Sequence, residues 1–332
     1  MTAYSHRRKQ LEELTNVLLR ESSPLSELRG AATDLHDLFD SISPILPHVQ
    51  SVSLSSGIAL GSRDAAACTR DPLRTATFLR GLNAAIEESR RRFRNRRIEI
   101  VYAGTGPYAT LAVPIMPRLD PRDVRFTLID THAESIASVA RVLRYFGLTR
   151  FARALIACDA TAYEHPRQIQ LHVAIVETMQ RSLSVEPQVA ICRQIARQMH
   201  RRGIMVPQRV TVDFEFTESP EFALSDGTYR TRVGQAFQLS LANARQFSQR
   251  SRKLTIKAVN VPPNAIGMYT THIQTYGRHT LAPGESGLTQ PEIVWPLINF
   301  ETGERIEFTY DVGTNPGIRF ERKTRKKIAG LT

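Results

Sequence analysis

The sequence predicts an α/β domain built on a parallel sheet, with amphipathic helices before it and a mainly antiparallel β domain after it. Three observations predict this. Strand-type runs alternate with helical ones between about residues 97 and 206, helical spacing dominates before residue 50, and beyond about residue 210 short alternating runs follow one another without long helices between them. Alternation of the first kind calls for a parallel sheet with crossover helices. With 332 residues, 42% of them hydrophobic, the chain can bury one large core or two smaller ones.

In chain order, Leu11, Leu14, Val17, Leu18, Leu25, Leu28, Leu35, Leu38 and Phe39 recur at helical spacing, which predicts two or three amphipathic helices ahead of the main domain. Thr75 to Phe93 is also helical in pattern, with Phe78, Leu79, Leu82 and Ile86 on one face. RIEIVYA (97–103) reads as a strand, and GTGPYATLAVPIM as a turn opening into a helix. VRFTLID, ARALIACDA and LHVAIVE are three further strands, with the helical AESIASVARVLRYFG after the first of them. PQVAICRQIARQMHRRG predicts an amphipathic helix ended by Gly203. RVTVDFEF, KLTIKAVNV, EIVWPLINF and RIEFTYDV are the strand signals of the second half, an antiparallel sheet or barrel, with the boundary near Pro207.

Composition narrows the function classes. No apolar run approaches the roughly 18–20 residues needed to span a bilayer, and MTAYSHRRKQLEELTNVL lacks the apolar core of a secretory signal, so a cytoplasmic, membrane-free setting is expected. Cys68, Cys158 and Cys192 are widely spaced, which disfavours a disulfide framework or a metal site. The formal charge of +12 is concentrated in His6 to Lys9, in RRRFRNRR (90–97) and in ERKTRKK (321–327). Such clusters bind phosphates or form solvated helix faces and tails. Phe93 alone interrupts the middle cluster, fewer aromatics than a strand-binding platform interleaves, so nucleic acid is disfavoured as a partner.

Gly104-Thr105-Gly106 follows a strand directly, where glycines let the backbone approach a ligand closely. The third glycine of the dinucleotide fingerprint is replaced by Tyr108-Ala109, which disfavours an NAD site. Asp130, ending the next strand, is placed to accept hydrogen bonds from ribose hydroxyls, or else to cap the following helix. The third strand ends in Cys158-Asp159. This order resembles a Rossmann-like class I S-adenosylmethionine (SAM) methyltransferase, and the resemblance puts Asp159 near the adenine, the local alternative being an Asx turn.

Three motifs in order extend the likeness. Asp71-Pro72-Leu73-Arg74-Thr75 matches a D-x-x-R-T segment, the glycine turn and Asp130 follow, and Glu177 and Glu186 stand nine residues apart like the two acids of a double-glutamate hairpin. In these the chain resembles the protein arginine methyltransferases over roughly residues 65 to 320, weakly in the barrel. The resemblance implies SAM as cofactor, with Asp71, Arg74, Gly104, Gly106, Asp130 and Asp159 contributing to its site and Arg74 binding the methionine carboxylate. It assigns Glu177 and Glu186 to catalysis and, with Met179, to substrate binding. The implied division is a helical extension (1–60), a SAM-binding domain (61–207) and a β-barrel-like substrate and dimerisation domain (208–332).

Departures from the family pattern bear on the substrate. LSSGIALGSRDAAAC, before D-x-x-R-T, lacks the family's aromatics, and the Thr-His-Trp loop has no clear counterpart; Leu288-Thr289-Gln290 occupies the comparable place, with Thr271-His272 the alternative. A guanidinium is planar, offers five donors and stays charged. Two carboxylates can hold it by paired, charge-assisted bonds and aim one nitrogen at the sulfonium methyl. The basic chain opposes Arg-rich peptide tails by long-range repulsion. With its helical extension and without the family's aromatic segment and Thr-His-Trp loop, it resembles most the family's small-molecule relatives that methylate free arginine in natural-product biosynthesis, and this resemblance implies free L-arginine or a related small guanidine in specialised metabolism as the substrate. Alternatives are a protein arginine methyltransferase acting on peptide tails and a non-catalytic or RNA-binding module using RRRFRNRR. A homodimer is expected, with ARQFSQRSR (244–252) the candidate arm.

Overall fold

The protein is described from a computed structural model, over residues 3–45, 50–218, 230–247, 254–258, 261, 263–294 and 300–323. Two helices come first, α1 (Ala3–Leu19) and α2 (Leu25–Ile42). Leu11, Leu18, Leu28, Leu35 and Phe39 are buried as the helical spacing predicts, each burial worth about 1.5–3 kcal/mol. Leu25, at the first turn of α2, is instead 45% exposed. A hairpin of β1 (Val52–Leu54) and β2 (Gly57–Ala59) follows, where the sequence shows no strand signal of ordinary length. Then come α3 (Ser62–Ala67) and α4 (Pro72–Arg92). Asp71 caps α4, accepting from Arg74 N at 3.0 Å, and Pro72 takes the first helical position, where no donor is missed.

The central sheet holds β3 (Ile98–Ala103), β4 (Val124–Asp130), β5 (Ala152–Ala157), β6 (Leu171–Val176) and β7 (Met199–Val206), with α5 (Ala133–Tyr145) between β4 and β5 and α6 (Gln188–Gln198) between β6 and β7. Its order is β5-β4-β3-β6-β7 and every neighbouring pair is parallel. All residues of β3 and β6 are buried, as strands covered on both faces require. The chain winds outward from β3 through β4 to β5, then returns to β6 on the other side. The carboxyl ends of β3 and β6 therefore flank a topological switch point, where open α/β sheets bind ligands.

Two predicted helices differ. After Gly106 the chain forms successive turns and a 3-10 turn (Met116–Arg118), because Ala109 has φ +46° and Pro114 and Pro117 offer no N–H. The helix expected to run to Gly203 stops at Gln198, and Gly203 lies within β7. Arg245 meets the chain where helix passes into strand, donating to Ala196 O in the last turn of α6 and to Met199 O and His200 O at the start of β7, at 2.8 to 3.2 Å.

The remaining strands are β8 (Arg209–Thr217), β9 (Arg230–Ser240), β10 (Leu254–Lys257), β11 (Ile266–Tyr276), β12 (His279–Leu281), β13 (Glu292–Ile293), β14 (Arg305–Asp311) and β15 (Gly317–Lys323), with the short helix α7 (Leu241–Gln246) after β9. They form two antiparallel sheets, β12-β11-β8-β9 with β13 beside β11, and β10-β14-β15. Aromatic rings fill the space between the sheets: Phe214 lies 5.2 Å from Phe308 and 5.5 Å from Phe300, and Phe237 stacks on Tyr310 at 4.6 Å. The architecture is a Rossmann-like α/β domain with helices ahead of it and an antiparallel, barrel-like domain behind it.

The basic clusters serve the fold in part. Arg8 donates to Phe146 O and Gly147 O at 2.7 and 2.6 Å, answering the open carbonyl end of α5. Arg91 and Arg92 pair with Glu88, and Arg90 with Asp123. Of the candidate dimer arm, residues 244–247 pack on α6 of the same chain through Arg245, and residues 248–252 lie outside the described residues. The last four residues of ERKTRKK (324–327) also lie outside them. No described helix is long and apolar enough to cross a membrane.

Candidate active site

A cavity of about 320 Å³ opens at the carboxyl ends of β3 and β6, within the range of small-molecule sites, roughly 300–1,000 Å³. It brings together Arg74, Gly104, Gly106, Asp130, Glu177, Met179 and Glu186. Asp71 and Asp159 do not line it, although Cys158 and Ala160 on either side of Asp159 do.

The floor is the glycine turn. Gly104 has φ +81°, and a Cβ there would sit 2.2 Å from Thr178 Cγ2 and 2.7 Å from Glu177 O, so only glycine lets the two strand ends approach. Asp130 fixes the turn: Gly106 N donates to its Oδ2 at 2.8 Å and His132 N to its Oδ1 at 2.9 Å. The carboxylate thus holds the glycine turn and the residue ahead of α5 while facing the cavity; it does not itself cap α5, whose N-cap is His132. Burial pushes the Asp130 carboxyl above its ordinary value, against the two backbone donors. Thr105 Oγ1 is buried at the same turn with no hydrogen-bond partner among the described residues.

Asp159 accepts from Thr161 N at 2.8 Å and Thr161 Oγ1 at 2.7 Å, the Asx-type arrangement. Asp71 couples two parts of the molecule. While Oδ1 caps α4 beside Arg74, Oδ2 accepts from Ser286 Oγ at 2.7 Å and Gly287 N at 3.0 Å. This seats the turn whose next residue, Leu288, lines the cavity from the second domain.

Both glutamates are buried, at 9% and 7% exposure for Glu177 and Glu186. Arg74 Nη2 donates to Glu177 Oε2 at 2.5 Å, and Glu177 Oε1 has no partner among the described residues. Burial opposes the charge on Arg74, but Glu177 more than offsets it and holds the guanidinium above its ordinary value. Glu186 is pushed up to about 7, by burial first and then by the Glu177 charge, with Arg74 and Gln180 opposing.

The loop between the acids is strained. Ser182, Leu183 and Val185 all have positive φ, near 55 to 66°, each costing of order 1–3 kcal/mol for a residue with a side chain. Four bonds hold it: Ser182 N donates to Thr271 Oγ1 at 3.0 Å, Tyr310 Oη to Leu183 O at 2.6 Å, Val185 N to Pro316 O at 3.1 Å, and Ile58 N to Val185 O at 2.9 Å. A Cβ on Gly57 would meet Val185 O at 2.5 Å, which explains glycine in the β1 to β2 turn. Behind the loop, Gln188 Oε1 accepts from Thr178 N and its Nε2 donates to Val176 O, joining α6 to the end of β6. Sequence reasoning misses Tyr310 and Gln188. Tyr310 is one inward residue of an alternating strand, and Gln188 only follows a proline at a helix start.

No family model matches the chain, and no curated protein matches it. Solved structures do match in fold. The Trypanosoma brucei PRMT1 enzyme-prozyme heterotetrameric complex with AdoHcy superposes with a TM-score of 0.55, covering 79% of this chain and 93% of that one at 10% identity. The fold class is thus a Rossmann-like α/β domain followed by an antiparallel, barrel-like domain. At this identity the likeness is one of fold.

Proposed function

We propose that the chain is a SAM-dependent N-methyltransferase acting on a guanidino nitrogen of free L-arginine or a related small guanidine. One observation carries it: two buried carboxylates face a cavity at the switch point, and one of their oxygens has no partner among the described residues. A cation with several planar donors satisfies such a pair.

The cavity residues fit SAM. Thr105 Oγ1 offers an unused polar atom at the glycine turn, Asp130 offers acceptors suited to ribose hydroxyls, and Arg74 donates one bond to Glu177 while its other N–H groups are suited to a carboxylate. When bound, SAM supplies a methyl on a sulfonium, whose bonding pair goes to sulfur as the new N–C bond forms. Glu177 and Glu186 hold the guanidinium plane and keep its charge away from the attacking nitrogen. Positioning of this kind is worth roughly 7–11 kcal/mol of a barrier. The proton displaced from that nitrogen leaves toward the clamp carboxylates, because methylation makes it far more acidic. A cation between the glutamates also stabilises Glu186 as a carboxylate, opposing the burial and the Glu177 charge that raise its value.

In this proposal residues 61–207 bind cofactor and residues 208–332 close the cavity and brace the glutamate loop. Assembly as a homodimer and a cytoplasmic role in specialised metabolism belong to the same proposal. The likeness to a PRMT1 favours peptide arginine as the second substrate class; the net charge of +12 disfavours Arg-rich tails. Mass spectrometry after incubation with SAM and either L-arginine or a Gly- and Arg-rich peptide decides. Methylated arginine, lost in E177Q and E186Q, is expected. Methylated peptide alone supports the second class, and no methyl transfer to any guanidine contradicts both.

A further inference from the structure

Arg181 lies on the loop between the two glutamates and lines the cavity. Of the cations in that lining, Arg74 is engaged by Glu177 at 2.5 Å, and the His132 ring meets Leu60 O at 3.0 Å. The Arg181 side chain is exposed, and among the described residues it has neither an ion pair nor a hydrogen bond. Its backbone is nonetheless fixed. Arg181 O accepts from Ser184 N at 3.2 Å and Ser184 Oγ at 3.0 Å, and the next residue, Ser182, is held by Thr271. Four residues from Glu177 and five from Glu186, its Cα lies within roughly 14 and 18 Å of theirs even for a fully extended chain.

A cation at the opening, with two carboxylates inside, describes a ligand of opposite polarity: a guanidinium leading and an anion trailing. A peptide-borne arginine presents uncharged amides at the trailing end, whereas a free amino acid presents a carboxylate, which a guanidinium grips by two parallel bonds. We propose that Arg181 binds the substrate carboxylate and makes the site selective for guanidino acids over guanidines without a free carboxylate. This rests on the proposed arginine N-methyltransferase activity and names its substrate class. It also assigns the loop a second task, since the segment that carries the clamp carries the residue that reads the far end of the substrate.

The test compares L-arginine with L-argininamide, in which only the carboxylate is neutralised, as substrates of the full chain and of R181Q and R181K, with KM for SAM measured in parallel and thermal melts as a folding control. Wild type is expected to prefer arginine by roughly ten- to a hundredfold in kcat/KM, the range of one charge-assisted contact. R181Q is expected to bring the two substrates toward parity through KM, and R181K to keep part of the preference. Equal use of both substrates by wild type overturns the assignment and leaves the methyl-transfer activity standing. A raised KM for SAM in R181Q with the substrate preference unchanged also overturns it, transferring Arg181 to the cofactor. Absence of methyl transfer to either small guanidine contradicts the activity itself and removes the assignment with it.

Discussion

Arg74 grips Glu177 through one carboxylate oxygen, Nη2 to Oε2 at 2.5 Å, and leaves the other oxygen buried and unpartnered among the described residues. The pair is 14% and 7% exposed on its two sides, so its charges depend on one another rather than on water. Arg74 thereby gives the buried Glu177 one charged partner and leaves its second oxygen facing the cavity for another donor.

Removing that partner strands a buried carboxylate, which costs about 3–5 kcal/mol. R74Q is expected to lower unfolding free energy by roughly 3 kcal/mol in urea titrations at pH 7.5, and the double variant R74Q/E177Q to recover much of the loss. A double variant no better than R74Q would show that the pair is not coupled in this way.

Glu186 predicts a pH dependence of the ligand-free chain. Its value is raised from 4.5 to about 7, so the folded chain holds the proton more tightly than the unfolded one. The resulting stability is full below about pH 4.5 and is lost as pH rises through about 7. The change is roughly 3 kcal/mol across that window. Urea titrations between pH 5 and pH 8 are expected to show this decline in wild type, against a flatter profile in E186Q.

Tyr310 tests whether the loop is braced from the second domain. Its hydroxyl donates to Leu183 O at 2.6 Å, beside two other residues in left-handed conformations. Y310F keeps the ring against Phe237 and leaves that carbonyl without this donor, at a cost of roughly 1–3 kcal/mol. The expected signature is a fall in kcat with SAM affinity unchanged, because the glutamates lose their fixed spacing while the glycine turn does not. A fall in thermal stability with kcat unchanged would make Tyr310 a packing residue only.

Much of the first domain is legible in the sequence, because its strands are buried on both faces and its helices carry one apolar stripe each. Ile98 to Ala103 and Leu171 to Val176 read directly as strands for that reason. The failures have tertiary causes. Nothing local in PYATLAVPIM reveals that Ala109 takes a positive φ, and after Gln198 the chain enters β7 beside Leu171 of β6, with Arg245, 47 residues away, bonded to the helix end. In the second half, β9 and β11 alternate less cleanly, with polar residues such as Thr270 buried against Glu215. The acids Glu177 and Glu186 and the glycine turn are legible as a pattern, since spacing along the chain carries them into one cavity. Arg181 stands between the same two acids, yet its significance needs the cavity, for only there does an arginine without an ion pair among the described residues stand beside paired charges. Asp71 shows the converse: the motif marks it, and its partners Ser286 and Gly287, more than 200 residues on, say what it holds.

The clamp itself is tested most directly by titration calorimetry of L-arginine into protein saturated with AdoHcy, for wild type, E177Q and E186Q at pH 7.5. Saturable binding is predicted, weakened in each variant by roughly ten- to a hundredfold, with buffer-dependent heats showing proton release on binding in wild type and none in E186Q. Arginine affinity unchanged by either substitution, with the variants folded and AdoHcy bound, would contradict a guanidinium held between Glu177 and Glu186.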